Sequence, residues 1–192
     1  MSKTVFISHS KHDRNGRRFF DSVFASTSNI SYWYSFVGPK PPHAASLLKA
    51  ISDASSVFVV LSKPMGERHY TRSWVGYEAG VAVSLKKNVI VFERFDEFVN
   101  LPVPGASAYI QRPSSVKDLE IQNSFPFWDL CDNGGESITL SRRSPPSMYT
   151  NGEVTCPNVD CKARYSLILW HNVEKWHCPV CREAMELQDI KV

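Results

Sequence analysis

The 192-residue chain has no apolar run near the roughly 20 residues that a membrane-spanning helix requires. Its opening, "MSKTVFISHSKHD", places a strand where a secretory leader would need a longer apolar core. The expectation is a soluble, cytoplasmic protein without membrane association. No internal repeat is present. Neither sign of charge dominates: 22 Lys and Arg stand against 19 Asp and Glu, a net +3. Residues 1–123 carry 15 basic and 10 acidic groups, 124–150 carry 2 and 3, and 151–192 carry 5 and 6. The surplus in the first part is scattered, with Arg17-Arg18 and Lys86-Lys87 as its only doublets. It reads as solvated surface rather than a nucleic-acid track, and it is compatible with a small phosphate-bearing ligand. Cysteine is missing from the first 130 residues, and four of the five fall in the last 37. That distribution fits a metal site in a reducing compartment, with Cys131 left over, and not a disulfide framework.

What is present is an alternation of strand-like and helical patterns through residue 122. "TVFIS" (4–8), "ISYWYSF" (30–36), "SVFVVLS" (56–62), "NVIVFE" (88–93) and "SAYIQR" (107–112) read as strands. Segments 14–27, 43–54 and 114–122 read as helices, as does the stretch beginning "RSWVGYEAGVAVSL" at Arg72, capped by Thr71 or Ser73. "VGPKPP" (37–42) and 63–72 read as loops. Buried strands separated by helices predict an α/β fold, a flavodoxin-like five-stranded parallel sheet in the order 2-1-3-4-5. Such a sheet opens a crevice beyond the carboxyl ends of strands 1 and 3. Ser8, His9, Ser10 and Ser62 stand there as candidate ligand contacts, and Phe36 leaves strand 2 toward the same place.

The division expected is 1–123 for this domain, 124–150 for a linker, and 151–192 for a small metal module. Phe125, Phe127, Trp128 and Leu130 in the linker form an apolar cluster suited to docking on the first domain. In the last segment "CPNVDC" and "CPVC" are separated by 16 residues. The two-residue spacer lets a tight turn aim both sulfurs at one point, and the four-residue spacer is looser but within the range of zinc sites, so Cys156, Cys161, Cys178 and Cys181 are the expected zinc ligands. "ARYSLILWHNVEKWH" (163–177) between them supplies two short strands for a hairpin over the metal. This resembles a zinc ribbon. Four protein ligands leave no open coordination position, so the zinc is expected to be structural. His171 and His177 read as bystanders.

One carboxylate is out of place. Glu78 sits in a helix that is apolar almost all round, sharing a face with Trp74, Val81, Ala82 and Leu85. Glu93, at the end of a buried strand, is a second candidate carboxylate.

"VFISHSKHD" (5–13), "AISDASSVFVVLS" (50–62) and "SWVGYEAGVA" (73–82) together resemble the boxes of Toll/interleukin-receptor (TIR) domains, over roughly residues 3–122. The resemblance implies the flavodoxin-like sheet and an activity. Many members cleave NAD between nicotinamide and ribose, and the glutamate of their W-x-x-x-E box is catalytic; here it falls on Glu78. Some bacterial members, such as those of Thoeris systems, act in anti-phage defence and make an ADP-ribose-type signal that activates a downstream effector. The resemblance implies NAD as substrate, self-association through this domain, and a pocket wall at Trp74. The sequence departs from the family in the loop after strand 2, where Asp and Glu are absent from Ile30 to Pro42. Two other readings stand beside the enzyme: a non-enzymatic TIR-type assembly module, and a zinc ribbon that senses nucleic acid through Tyr165, Trp170 and Trp176. The net negative charge of 151–192 weighs against the second.

Overall fold

A computed structural model describes residues 3–25, 30–35, 43–94, 97–112, 148–170 and 175–186. Phe36, the proline-rich loop 37–42, the expected helix 114–122, the apolar linker cluster, Cys131 and His171 lie outside the described residues.

The first part follows the sequence pattern closely. Strands β1 (Lys3–Ser8), β2 (Ile30–Tyr34), β3 (Ser56–Leu61), β4 (Asn88–Arg94) and β5 (Ala106–Arg112) alternate with helices α1 (Arg14–Ala25), α2 (Ala44–Asp53), the single turn α3 (Lys63–Gly66) and α4 (His69–Ser84). The five strands are parallel and ordered β2-β1-β3-β4-β5. This is the flavodoxin-like arrangement expected from the alternation. Every residue of β3 is buried, so both faces of the sheet must be covered. On one face Phe20 of α1 packs edge-on to Phe92 and is tilted against Phe58. In parallel register Val57, Val59 and Leu61 of β3 pair with Val89, Val91 and Glu93 of β4, which sets these residues on the opposite face. Helix α4 lies over β1, β3 and β4 and buries Val75, Glu78, Ala79 and Ala82 at i, i+3, i+4, i+7 spacing.

Three local expectations change. Residues 63–72 contain α3 and the first turns of α4, because Pro64 sits in the first turn of α3, where its missing N–H is harmless. α4 begins at His69 with no side-chain cap, not at Thr71 or Ser73. It ends at Ser84, so Leu85 is exposed and does not share the buried face. α1, by contrast, is capped: Asp13 Oδ1 accepts the Gly16 N–H at 2.8 Å. A Cβ on Gly16 would lie 2.3 Å from Asp13 Oδ2, so the cap geometry calls for glycine.

The carboxyl-terminal part is joined to this sheet. β6 (Met148–Thr155) and β7 (Arg164–Trp170) form an antiparallel pair, and β7 pairs in parallel with β5, giving seven strands in the order β2-β1-β3-β4-β5-β7-β6. β6 starts inside the segment that composition assigns to the linker. β8 (Lys175–His177) and β9 (Ala184–Glu186) form a separate two-stranded sheet. The two strands within 163–177 therefore pair elsewhere, β7 in the main sheet and β8 with β9, and the hairpin expected between them does not form. The reason is burial. Tyr165 and Leu167 of β7 are buried beside Tyr109 of β5, and Trp176 and Met185 of the small sheet are buried in the same core. No helix among the described residues is long and apolar enough to cross a membrane.

Candidate functional site

The carboxyl ends of β1, β2 and β3 bring together polar groups that burial would not ordinarily allow. Ser8, His9, Ser10, Ser35, Ser62 and Glu78 are all buried. Glu78 is wholly inaccessible, with 0% of its surface exposed. It reaches β1 because Ser8 pairs with Val59, which puts the Ser8 side chain on the α4 face. The Ser8 hydroxyl donates to Glu78 Oε2 at 2.5 Å. Among the described residues Glu78 Oε1 has no hydrogen-bond partner, and neither have Ser35 Oγ and Trp74 Nε1 near it, nor His9 Nδ1.

Burial pushes the Glu78 carboxyl up from its ordinary 4.5 to about 7, and the Ser8 hydrogen bond opposes that rise. Trp74 Nε1 and Ser35 Oγ oppose it as well, being close enough to favour the anion without meeting hydrogen-bond geometry. Burial likewise lowers His9 to about 4, although Asp13 pulls the other way. At neutral pH His9 is an uncharged ring, tilted against Tyr34 with centroids 4.8 Å apart. A cluster of donors facing a half-ionised carboxyl is suited to hold a polar or cationic group once water or ligand enters.

The other candidates divide. Trp74 is half-buried and bounds a small cavity of about 50 Å³ with His9, Lys11, Tyr70 and Thr71. Ser10 is spent on the turn, where its hydroxyl accepts the His12 N–H. Ser62 borders a different, smaller cavity of about 20 Å³ with Asp13, Leu61 and Glu93. Phe36 lies outside the described residues. Trp33 packs on Phe6, and the Tyr34 hydroxyl donates to Asp21, so both are committed to packing. A roomier recess of about 370 Å³ lies at the other end of β1, bounded by Thr4, Trp33 and α2. It is open, and its charged residues, Lys49 and Asp53, pair with each other at the surface. Ser35 was not singled out from the sequence. Its position directly after β2, beside the end of switch-point strand β1, is the available signal.

Glu93 is fully engaged. Its Oε1 accepts the Val99 N–H at 3.0 Å, the Tyr109 hydroxyl donates to Oε2, and Arg182 Nη2 lies 2.6 and 2.7 Å from the two oxygens. Arg182 follows the last cysteine and is as buried as its partner.

The four cysteines converge as their spacing requires. Their sulfurs lie within 4.8 Å of one another, with Cys156–Cys181 at 3.7 Å and Cys161–Cys178 at 3.9 Å. A tetrahedron of 2.3 Å metal–thiolate bonds has edges of about 3.8 Å, so this donor set fits a four-coordinate metal ion such as zinc. Burial raises the Cys156 and Cys178 thiols above their usual range, so a compact set of thiolates here needs a cation to balance it. The His177 ring packs tilted against Phe98 and takes no place in the cluster.

No family model and no curated protein matches the chain. Among solved structures it is similar to the TIR domains in the activated Roq1 resistosome directly recognizing the pathogen effector XopQ. The identity is 17% and the TM-score 0.38, over 49% of this chain. The match spans 58% of that chain, less than two thirds of its length. A likeness at this level shows neither family nor chemistry.

Proposed function

We propose that the protein cleaves NAD between nicotinamide and ribose, with Glu78 as the carboxylate that stabilises the ribosyl cation. The observation that carries this reading is a fully buried carboxyl with one oxygen bonded to Ser8 and the other unpartnered, set at the switch point of the sheet. When the glycosidic bond breaks, its electron pair passes to the pyridinium nitrogen. Nicotinamide leaves neutral, so no general acid is needed. Positive charge builds on the ribose, as in other glycosyl transfers. A carboxylate fixed in a low-dielectric site stabilises that charge strongly. Ser35, Trp74 and neutral His9 offer unpartnered polar atoms for ribose hydroxyls or the carboxamide. Capture of the cation by water gives ADP-ribose, and capture by an internal nucleophile gives a cyclic product. Either would serve as a signal to a downstream effector, and defence against phage is the setting that the TIR resemblance implies.

The reading includes a structural zinc in the four-cysteine centre and a cytoplasmic location. The reading takes part of the substrate site to be built by self-association, as the TIR resemblance implies, so specific activity should rise with protein concentration. The ionised form of Glu78 does the work, so activity should climb as pH rises through about 7.

The test is chromatography of NAD incubated with concentrated protein, wild type beside Glu78→Gln. Nicotinamide release by wild type, reduced about 100-fold or more in the variant, is the expected result. Equal release by both would remove Glu78 from the mechanism. The complete inaccessibility of Glu78 favours one rival, an assembly module without chemistry. Absence of nicotinamide from either protein at high concentration would support that rival.

A further inference from the structure

We infer that the four-cysteine centre is a metal-dependent latch on the sheet, with Arg182 as its bolt and the carboxyl end of β4 as the part it secures. This goes beyond the NAD reading and does not depend on it.

The two cysteine pairs are folded alike. In the first, the Cys156 N–H donates to Ala163 O, and Lys162, the residue after the second cysteine, has φ +46°. In the second, the Cys178 N–H donates to Glu183 O, and Arg182, again the residue after the second cysteine, has φ +64°. Left-handed backbone at a residue with a Cβ is unfavourable by about 1 kcal/mol or more. Each turn therefore holds a strained residue at the same place. The difference is what that residue does. Lys162 is exposed, whereas Arg182 is buried against the other part of the molecule.

Arg182 reaches Glu93 through one nitrogen, Nη2, and its guanidinium lies 4.9 Å above the Phe98 ring. Its Nε and Nη1 are buried without hydrogen bonds. A buried guanidinium with two unused donors does not hold itself in place, because desolvation works against the pair unless geometry is imposed from elsewhere. The turn that carries it supplies the geometry. Pro179 O accepts the Val103 N–H at 2.7 Å, and the His177 ring packs tilted against Phe98 with centroids 4.0 Å apart. Residues 177, 179 and 182 thus grip β4 and the 97–103 segment from one side.

What fixes the turn is the centre itself. Four thiols without a metal have only weak S–H···S contacts, at 3.7 and 3.9 Å, to draw them together, and a tetrahedral ion supplies a far stronger bond. Loss of the ion releases the strained Arg182, and Glu93 is left buried without its counter-charge. Glu93 pairs in register with Leu61, the neighbour of Ser62, so the loosening would reach the crevice end of β3.

Amide hydrogen exchange of the full chain, resolved by NMR, tests the latch. Removing zinc with a chelator should speed exchange at Val99 and Val103 by about tenfold or more, as local opening is released. Arg182→Met in the zinc-loaded chain should do the same at Val99 while zinc stoichiometry stays at one per chain. Lys162→Met, the matching change in the other turn, should leave both amides slow, and Arg182→Lys should restore part of the protection. If Arg182→Met fails to fold, zinc removal from wild type and Arg182→Lys still decide. Unchanged exchange at Val99 and Val103 after zinc removal overturns the latch, as does a purified chain that binds no zinc.

Discussion

Glu78 and Glu93 are both buried glutamates at the same end of one sheet, and the protein treats them oppositely. Glu93 receives the Val99 N–H, the Tyr109 hydroxyl and Arg182, so both oxygens are occupied and its charge is matched. Glu78 receives one hydroxyl, and no cation among the described residues pairs with it. The first arrangement joins two parts of a chain. The second is under-satisfied, which is costly for folding and useful for binding, because a ligand can complete what the fold leaves open. A carboxylate's burial does not distinguish the two roles; the count and charge of its partners does.

The same conservative substitution at both positions gives the sharpest test, and the larger effect is expected at Glu93. Glu93→Gln leaves Arg182 buried without a counter-charge. Breaking a buried pair from one side costs about 3–5 kcal/mol. Urea denaturation of the zinc-loaded protein at pH 8 should show a loss of that order. A loss below about 1 kcal/mol would mean the pair is only a surface-like contact.

Glu78→Gln should move stability the other way. The folded carboxyl titrates near 7 and the unfolded one near 4.5. Between those values the folded protein holds a proton that the unfolded chain has released, so wild-type stability falls as pH rises through the window. Above about 7 the full penalty is present, on the order of 3 kcal/mol. A neutral amide does not suffer it. The variant should therefore be more stable than wild type at pH 8, by up to that amount, and nearly equal to it at pH 4.5. His9, lowered to about 4, has the opposite slope between 4 and 6.5, so the difference between variant and wild type isolates Glu78. A variant less stable at pH 8 would show that the charged carboxylate is structural, and the contrast with Glu93 would fail.

The sequence made one side of this contrast legible and hid the other. Glu78 stood out because a charge interrupts an apolar helix, and the strands stood out because β3 is apolar along its length. The four cysteines announced themselves by spacing. Arg182 did not, because it follows its cysteine just as Lys162 does, and only tertiary placement separates a buried bolt from a solvated lysine. The pairing of β7 with β5 was hidden for a similar reason. "RYSLILW" reads as a strand in any partner's company, and parallel pairing between residues as far apart in sequence as Ala108 and Ser166 leaves no local mark. α4 lacked a legible start because it uses no side-chain cap.

The smallest expected effects lie among the hydroxyls around Glu78, and they separate bonding from proximity. Ser8 donates a hydrogen bond to the carboxylate, which favours the anion. Ser8→Ala removes it, so Glu78 should protonate more readily and the pH midpoint of NAD cleavage should rise by about one unit, with activity recovering at higher pH. Ser35 stands near the same carboxyl, but its hydroxyl has no hydrogen-bond partner among the described residues. Ser35→Ala should shift the midpoint less than Ser8→Ala and should raise KM instead, because its hydroxyl is free to meet the substrate. Equal midpoint shifts from the two variants would mean that both hydroxyls serve the carboxylate alone. The unpartnered oxygens would then be idle, and the proposed ribose contacts would have to come from elsewhere in the crevice.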